Sequence, residues 1–281
     1  YFNRLISKTL PGFSSHDPQL IANDIDELSV NNGAYDIYYF ATQLMGQAKL
    51  FMVTSGFSII DVYDIYTTYT TSKLKVLKLY STFYWLFFIE ALRVKNFEKH
   101  LLRSFDMILV TCFENYLKVN SFNLLNSLHE ISNGTNYPEE IHIKKGKHLL
   151  MVGNFEYSGN LNGIQWFLKA VWPLLKAKIN INLVLVGKHS EKLKKLIKGD
   201  SQVELTGIVP KLDKYYENAC CVILPLFNDG GTKTKLIEAM AFGVPIVSTS
   251  IGAKGFESTN TISISDHPKE FFELIENIFT D

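Results

Sequence analysis

The residues best suited to chemistry lie in one segment, where a strand, a glycine-containing loop and a helix are predicted to follow one another. Gly230 and Gly231 form the loop, and the helix is predicted to begin near Thr232. Paired glycines let the backbone come close to a ligand, and the first N–H groups of a helix attract anions. Lys233 and Lys235 add positive charge. Because hydrogen bonds to a charged group contribute about 1.5–3 kcal/mol each, the loop is suited to a diphosphate without a metal ion.

Glu238 follows one and a half turns into the same predicted helix and is its only carboxylate. A pair of ribose hydroxyls suits this side chain as a partner. A simpler interpretation stays open, in which the segment is a helix cap with two solvated lysines. Glu238 then forms an i, i+3 pair with Lys235.

The segment from 225 to 255 reads PLFNDGGTKTKLIEAMAFGVPIVSTSIGAKG. It resembles the signature of the large retaining family 4 of the GT-B glycosyltransferases, in the subgroup whose pattern is Pro-Leu-x-x-Gly-Gly-Gly-Thr-Arg-x-Lys-x-x-Glu-Ala-x-Ala-x-Gly-x-Pro-Val-Val-Ser-Thr. Lys233 replaces the arginine of this pattern, which keeps the charge but loses the bidentate fork. The matching positions are Thr232, Lys235, Glu238, Ala239, Gly243, Pro245, Ser248 and Thr249.

Further stretches are similar to the same family, and the likeness covers roughly residues 35 to 281. Residues 151–160 (MVGNFEYSGN) are similar to the first strand and loop of its nucleotide domain, and 185–187 to its second strand. Residues 203–209 are similar to the strand and loop against which the nucleotide base packs. The resemblance implies these substrate-binding residues: Gly153, Asn154, Gly207, Ile208, Val209, Asp229, Gly230, Gly231, Thr232, Lys233, Lys235, Leu236 and Glu238.

Two departures from the family pattern bear on catalysis. Many members have two glutamates with seven residues between them, but the first of these positions is Gly230 here, with Asp229 beside it as an alternative. Members often have a histidine after a strand of the first domain, and the corresponding stretch 53–57 has none. His16 and His100 are alternatives without a motif around them, so no catalytic base is assigned.

The resemblance implies a metal-independent hexosyltransferase that needs no cofactor. It would move a sugar, with retention, from a nucleotide-sugar donor to an acceptor hydroxyl in glycan, polysaccharide or glycolipid synthesis. The implied partners are that donor and a glycan or lipid-linked acceptor. The departures leave open a non-catalytic relative that binds a nucleotide-sugar or glycan as a partner subunit. An epimerase or phosphorylase with the same two-domain fold is disfavoured by the motif.

The hydrophobic pattern predicts an α/β fold. From about 147 onward, short aliphatic runs alternate with helix-length periodic segments, which is typical of a doubly wound parallel sheet. The predicted strands are 148–153, 182–187, 203–207, 221–226, 244–248 and 262–264. The predicted helices are 162–177, 190–198, 212–219, 232–242 and 268–279. Together with the resemblance, this implies the GT-B architecture, two Rossmann-like doubly wound domains facing across a cleft.

The first half of the chain is less regular. Strands are predicted at 36–40, 50–54 and 106–111, with an interrupted helix over about 73–103. Five aromatic residues of this helix are interpreted as core, with contact to a membrane surface as the alternative: Phe83, Tyr84, Trp85, Phe87 and Phe88.

Turn formers at 132–138 predict a linker. We therefore expect an acceptor-side domain at 1–134 and a nucleotide-sugar-binding domain at 135–281. The first is expected to lack its initial strand and glycine-rich loop, and the second its terminal crossover helices.

The composition is that of a globular chain, since 47% of the 281 residues are hydrophobic and 20% are charged. Twenty-eight basic and 28 acidic residues give zero net charge, which argues against nucleic-acid binding. Three cysteines without zinc-ligand spacing favour a reducing compartment. The apolar run 79–89 is too short to cross a bilayer, and no signal peptide is recognised. We expect a cytoplasmic protein, with peripheral contact to the inner membrane face as an alternative.

Overall fold

The chain divides into two compact units, Tyr1–Ser132 and Asn133–Asp281. The computed structural model describes residues 17–74, 77, 79–135, 146, 148–189, 191–227, 234–256, 259 and 261–280, without the side chains of 72 and 73. The division falls within the segment of turn formers predicted as a linker, whose residues 136–138 lie outside this description.

The first unit is built on a parallel sheet with the strand order β1-β2-β3-β4. Its strands are β1 (Ile37–Phe40), β2 (Phe57–Val62), β3 (Met107–Val110) and β4 (Ser127–Glu130). Its α-helices are α1 (Pro18–Asn32), α2 (Gln43–Gly46), α3 (Tyr66–Leu74), α4 (Thr82–Arg103) and α5 (Phe113–Asn120). A 3-10 turn, Gln47–Leu50, follows α2.

One face of this sheet carries the core of the first unit. Alternate residues of the strands, such as Phe40, Ile60 and Ile108, are buried together with Leu101 of α4 and Ala22 of α1. Side chains of a strand alternate between the two faces of the sheet. This alternation accounts for the burial of every second residue along β1 and β2.

The predicted strand at 50–54 is wrong, because this segment pairs with a side chain instead of a strand. The Asp26 carboxylate on α1 accepts hydrogen bonds from the main-chain N–H of Val53 and of Thr54 at 2.9 Å, and from the Thr54 hydroxyl at 2.6 Å. These bonds, that of the Thr54 hydroxyl foremost, lower the pKa of Asp26. The strand forms later, at Phe57–Val62.

The interpretation of the α4 aromatic residues as core is wrong for most of them. Phe83 and Trp85 are 60% and 57% exposed, and Phe88 is also exposed. Trp85 and Phe88 pack edge to face on each other at the surface, with centroids 6.0 Å apart. The buried residues of the helix begin at Ala91, and Leu101 and Leu102 reach the sheet core. Within the described part of the chain, no helix combines the length and apolarity that a bilayer span requires.

The second unit is built on a six-stranded parallel sheet with the order β10-β9-β8-β5-β6-β7. Its strands are β5 (His148–Val152), β6 (Asn182–Val186), β7 (Val203–Gly207), β8 (Ala219–Leu224), β9 (Ile246–Ser248) and β10 (Ile262–Ile264). Its α-helices are α6 (Ser158–Trp166), α7 (Trp172–Lys178), α8 (Glu191–Leu196), α9 (Asp213–Glu217), α10 (Thr234–Ala241) and α11 (Pro268–Thr280).

Both faces of this sheet are covered, which explains why its strands read as continuous apolar runs. Leu149 of β5 packs in one core with Phe167 and Phe271. The next residue, Leu150, packs in a second core with Leu236 of α10. The predicted α/β class and doubly wound parallel sheet are confirmed.

The predicted helix 162–177 is interrupted by a π-helical turn at Phe167–Val171 between α6 and α7. Pro173 follows at the start of α7. A proline has no N–H and its ring clashes with the carbonyl four residues earlier, here that of Lys169. A π turn widens the helix at that point and relieves the conflict.

Candidate functional site

Three glycines lie at or just after the carboxyl ends of neighbouring strands in the second unit, Gly153 after β5, Gly187 after β6 and Gly207 at the end of β7. A Cβ on Gly187 would lie 2.1 Å from the Gly153 carbonyl oxygen, so only glycine fits there. The Gly187 N–H donates to the Gly207 carbonyl at 2.8 Å, and both glycines have positive φ angles. Main-chain groups are therefore packed closely at the edge at which open α/β sheets bind ligands.

Lys235 reaches this edge from α10 and is held there by a buried amide. Its Nζ donates to Asn160 Oδ1 at 2.8 Å, and Asn160 Nδ2 donates to the Asn154 carbonyl at 2.8 Å. A Cβ on Gly153 would lie 3.0 Å from Lys235 Nζ. Asn154 also closes its own turn, because its Oδ1 accepts the N–H of Glu156 at 3.0 Å. The structure thus brings Gly153, Asn154 and Lys235 together.

Glu238 lies one turn after Lys235 on α10 and is half-buried. Its Oε2 accepts a 2.8 Å hydrogen bond from the hydroxyl of Tyr216, a residue of α9. Burial, and next the negative charge of Glu238, raise the pKa of Tyr216 well above its ordinary value of 10.0. One helix therefore presents both a cation and a carboxylate.

The other predicted site residues differ in exposure, and some lie outside the described part of the chain. Ile208 is 78% exposed directly after β7, and Val209 beside it is half-buried. Leu236 is fully buried in the sheet core, and its contact with substrate stays a prediction. Five predicted residues lie outside the described part of the chain: Asp229, Gly230, Gly231, Thr232 and Lys233.

Two side chains that bond to the predicted site residues were not assigned a role from the sequence. Asn160 is 7% exposed and Tyr216 is 1% exposed, yet each bonds a predicted ligand-binding side chain. A buried polar side chain is expected to be hydrogen-bonded. Asn160 ends the compared stretch 151–160, and Tyr216 lies in the predicted helix 212–219, but neither position carries a local signal of its partner.

The correction of the predicted strand at 50–54 changes which residues follow a strand in the first unit, where the family often has a histidine. The stretch 53–57, compared above with the family's histidine position, precedes β2 and does not follow a strand. Tyr63 and Asp64 follow β2, and neither is a histidine. His100 lies exposed in the last turn of α4, and His16 lies outside the described residues.

Solved structures similar to this chain show the GT-B fold. Sucrose-phosphate synthase from Thermosynechococcus elongatus is 18% identical, with a TM-score of 0.69 over 94% of this chain and 69% of that one. TarM from S. aureus, solved with fondaparinux, alpha-GlcNAc-glycerol and UDP, is 15% identical, with a TM-score of 0.66 over 93% of this chain and 51% of that one.

The sequence comparisons agree with this fold. Residues 146–281 match the model of the glycosyl transferases group 1. An uncharacterized protein in the cps region of Klebsiella pneumoniae is 31% identical over 186 residues, which are 60% of this chain and 45% of that protein. The chain spans less than half the length of the curated relatives that it matches.

Proposed function

We propose that this protein transfers a sugar from a nucleotide-sugar donor to an acceptor hydroxyl, with retention at the anomeric carbon. The observation that carries the proposal is the placement of Lys235 at the glycine-lined edge of the sheet, with Glu238 one turn later on the same helix, α10. The match of residues 146–281 to the glycosyl transferases group 1 supports it. So do the similar structures of TarM, solved with UDP, and of HepE from Anabaena, solved with UDP-glucose.

In this proposal the second unit binds the donor and stabilises the departing diphosphate. Lys235, held by Asn160, neutralises negative charge that develops on the leaving group, which is how preorganised donors accelerate such a step. Glu238 accepts the ribose hydroxyls, and the base lies against exposed Ile208. Main-chain groups and Lys233 of the Gly-Gly-Thr-Lys segment would add further donors. The proposal requires no metal ion and assigns no catalytic base.

The finer features follow the sequence resemblance. We propose a hexosyltransferase of family 4, in its Gly-Gly-Thr-Lys subgroup, that acts in glycan, polysaccharide or glycolipid synthesis. The acceptor would be a glycan or a lipid-linked sugar on the cytoplasmic side of the membrane. The exposed aromatic residues of α4 support a peripheral contact with that membrane.

Donor binding tests the proposal. Saturation-transfer NMR of the chain with UDP-, GDP-, dTDP- and ADP-sugars is expected to show binding of one nucleotide class. Glu238→Ala should weaken that binding about ten- to a hundredfold, because it removes hydrogen bonds to a charged group. The matched control is Glu273→Ala, which removes a half-exposed carboxylate from α11.

The outcomes separate the two functions left open by the sequence. Turnover in the presence of an acceptor, with the donor's anomeric configuration kept in the product, is the expected result. Donor binding without turnover in a full-length, acceptor-supplied protein would support the non-catalytic binding subunit. A folded chain that binds none of the four nucleotide classes would contradict both.

A further inference from the structure

Tyr216 joins the core of the second unit to Glu238. Its ring stacks on Phe242 with centroids 5.0 Å apart and an interplanar angle of 15°. Its hydroxyl is the polar end of an almost fully buried side chain, and it donates to Glu238 Oε2 at 2.8 Å. The ring therefore packs as a phenylalanine ring would, and only the hydroxyl makes the contact with Glu238.

The hydroxyl acts as a fixed donor. Because its pKa is raised, the hydroxyl stays protonated over the pH range in which proteins function and donates its hydrogen to Glu238 throughout that range. A buried hydroxyl without a partner is costly, which favours the rotamer of Glu238 that reaches Tyr216. One carboxylate oxygen is thus engaged, and the direction of the other is fixed.

We propose that Tyr216 is a positioning residue that gives the site its preference for ribose over deoxyribose nucleotides. The inference rests on the proposed function, in which Glu238 accepts the ribose hydroxyls. Tyr216 does not touch the nucleotide. It acts by holding Glu238 in the one orientation that meets two neighbouring hydroxyls.

The test compares nucleoside diphosphates that differ only at the sugar. Dissociation constants are measured calorimetrically for UDP, GDP and ADP, and then for the 2′,3′-dideoxy form of the tightest binder. The wild-type chain is expected to prefer the ribose form about tenfold or more. Tyr216→Phe keeps the stack on Phe242 and should reduce this preference about fivefold, with the affinity for the dideoxy form unchanged.

Three further variants distinguish positioning from packing. In a Glu238→Ala background, Tyr216→Phe should have no effect on the preference, because the residue through which it acts is gone. Glu238→Asp keeps the charge but moves the carboxylate away from Tyr216. The preference for ribose should therefore decrease, while the packing of the core is unaltered. Tyr39→Phe is the matched control, since it removes a 2.7 Å tyrosine–carboxylate bond to Asp61 in the first unit and should change nothing.

The possible results are distinct. The positioning role would be overturned if Tyr216→Phe lost affinity equally for both sugar forms, or if its preference for ribose were unchanged. A ribose preference of the wild-type chain would still support Glu238 as the ribose partner in that case. An effect of Tyr216→Phe that persists in the Glu238→Ala background would overturn it as well. If the folded wild-type chain binds no nucleoside diphosphate, the proposed function and this inference both fail.

Discussion

The close approach of two strand ends at Gly187 yields a prediction that can be calculated in advance. Gly187→Ala places a Cβ 2.1 Å from the Gly153 carbonyl oxygen, at a φ of +127°. Gly199→Ala is the matched control, because Gly199 has a φ of +88° and no atom within 4 Å of the added Cβ. The pair separates backbone strain, which both variants share, from steric conflict, which only one has.

The magnitudes follow from the hydrogen bonds at stake. Strain at positive φ costs about 1 kcal/mol in either variant. In Gly187→Ala the ends of β5 and β6 must also move apart, which endangers the bonds from Gly153 N–H to the Val186 carbonyl and from Gly187 N–H to the Gly207 carbonyl. At about 1 kcal/mol each, these bring the expected loss to about 3 kcal/mol.

Differential scanning calorimetry of the second unit's transition checks the calculation. For a unit of this size, 1 kcal/mol shifts Tm by about 2–4 °C. We expect a decrease of about 2–4 °C for Gly199→Ala and about 6–12 °C for Gly187→Ala. Equal decreases in the two variants would refute the close packing of Gly187 on Gly153.

Three further predictions concern titration, metal ions and membranes. Burial raises the pKa of Glu98, a buried residue of α4, above its ordinary value of 4.5. The stability that Glu98 contributes should therefore decrease as the pH rises from about 4.5 through the raised pKa. Urea unfolding measured between about pH 4 and 8 should show this decrease in the wild type and not in Glu98→Gln. Donor affinity measured calorimetrically should be the same with and without EDTA, and a loss on chelation would contradict the metal-free proposal. Co-sedimentation with anionic vesicles should decrease in a Phe83→Ser, Trp85→Ser, Phe88→Ser variant of α4, and equal binding would exclude this face as the contact.

The second unit was largely predictable because its strands are buried on both faces. Most of the six appear in the sequence as short apolar runs, with the edge strand Val203–Gly207 as an exception, and the errors are confined to ends such as 221–226, which is observed at Ala219–Leu224. The end of β8 is hard to read because Pro225 and Leu226 continue the apolar run after the pairing stops.

The first unit was harder to predict because side chains replace regular pairing. Val53 and Thr54 belong to an apolar, β-branched run, yet their N–H groups bond to Asp26, 27 and 28 residues earlier. Such a long-range partner leaves no local pattern. β4 was missed because Ser127–Glu130 contains a single aliphatic residue and so shows no apolar run.

The candidate site was predictable at the level of residue types but not of contacts. The motif indicated Lys235 and Glu238, and both lie on α10 as expected. Their partners Asn160 and Tyr216 come from other helices, 75 and 22 residues away in sequence. Which polar side chains meet across two helices depends on how those helices pack on the sheet, and the spacing of residues within one helix does not determine it.

The row formed by Gly153, Gly187 and Gly207 has a thermodynamic consequence. An ordered side chain at an interface loses rotamer entropy, at a cost of about 0.5–1.5 kcal/mol for each flexible side chain immobilised. The glycines themselves have no side chain to immobilise, and the sheet has already fixed their main-chain atoms. The entropy of this surface is lost when the protein folds, so binding there costs little further ordering.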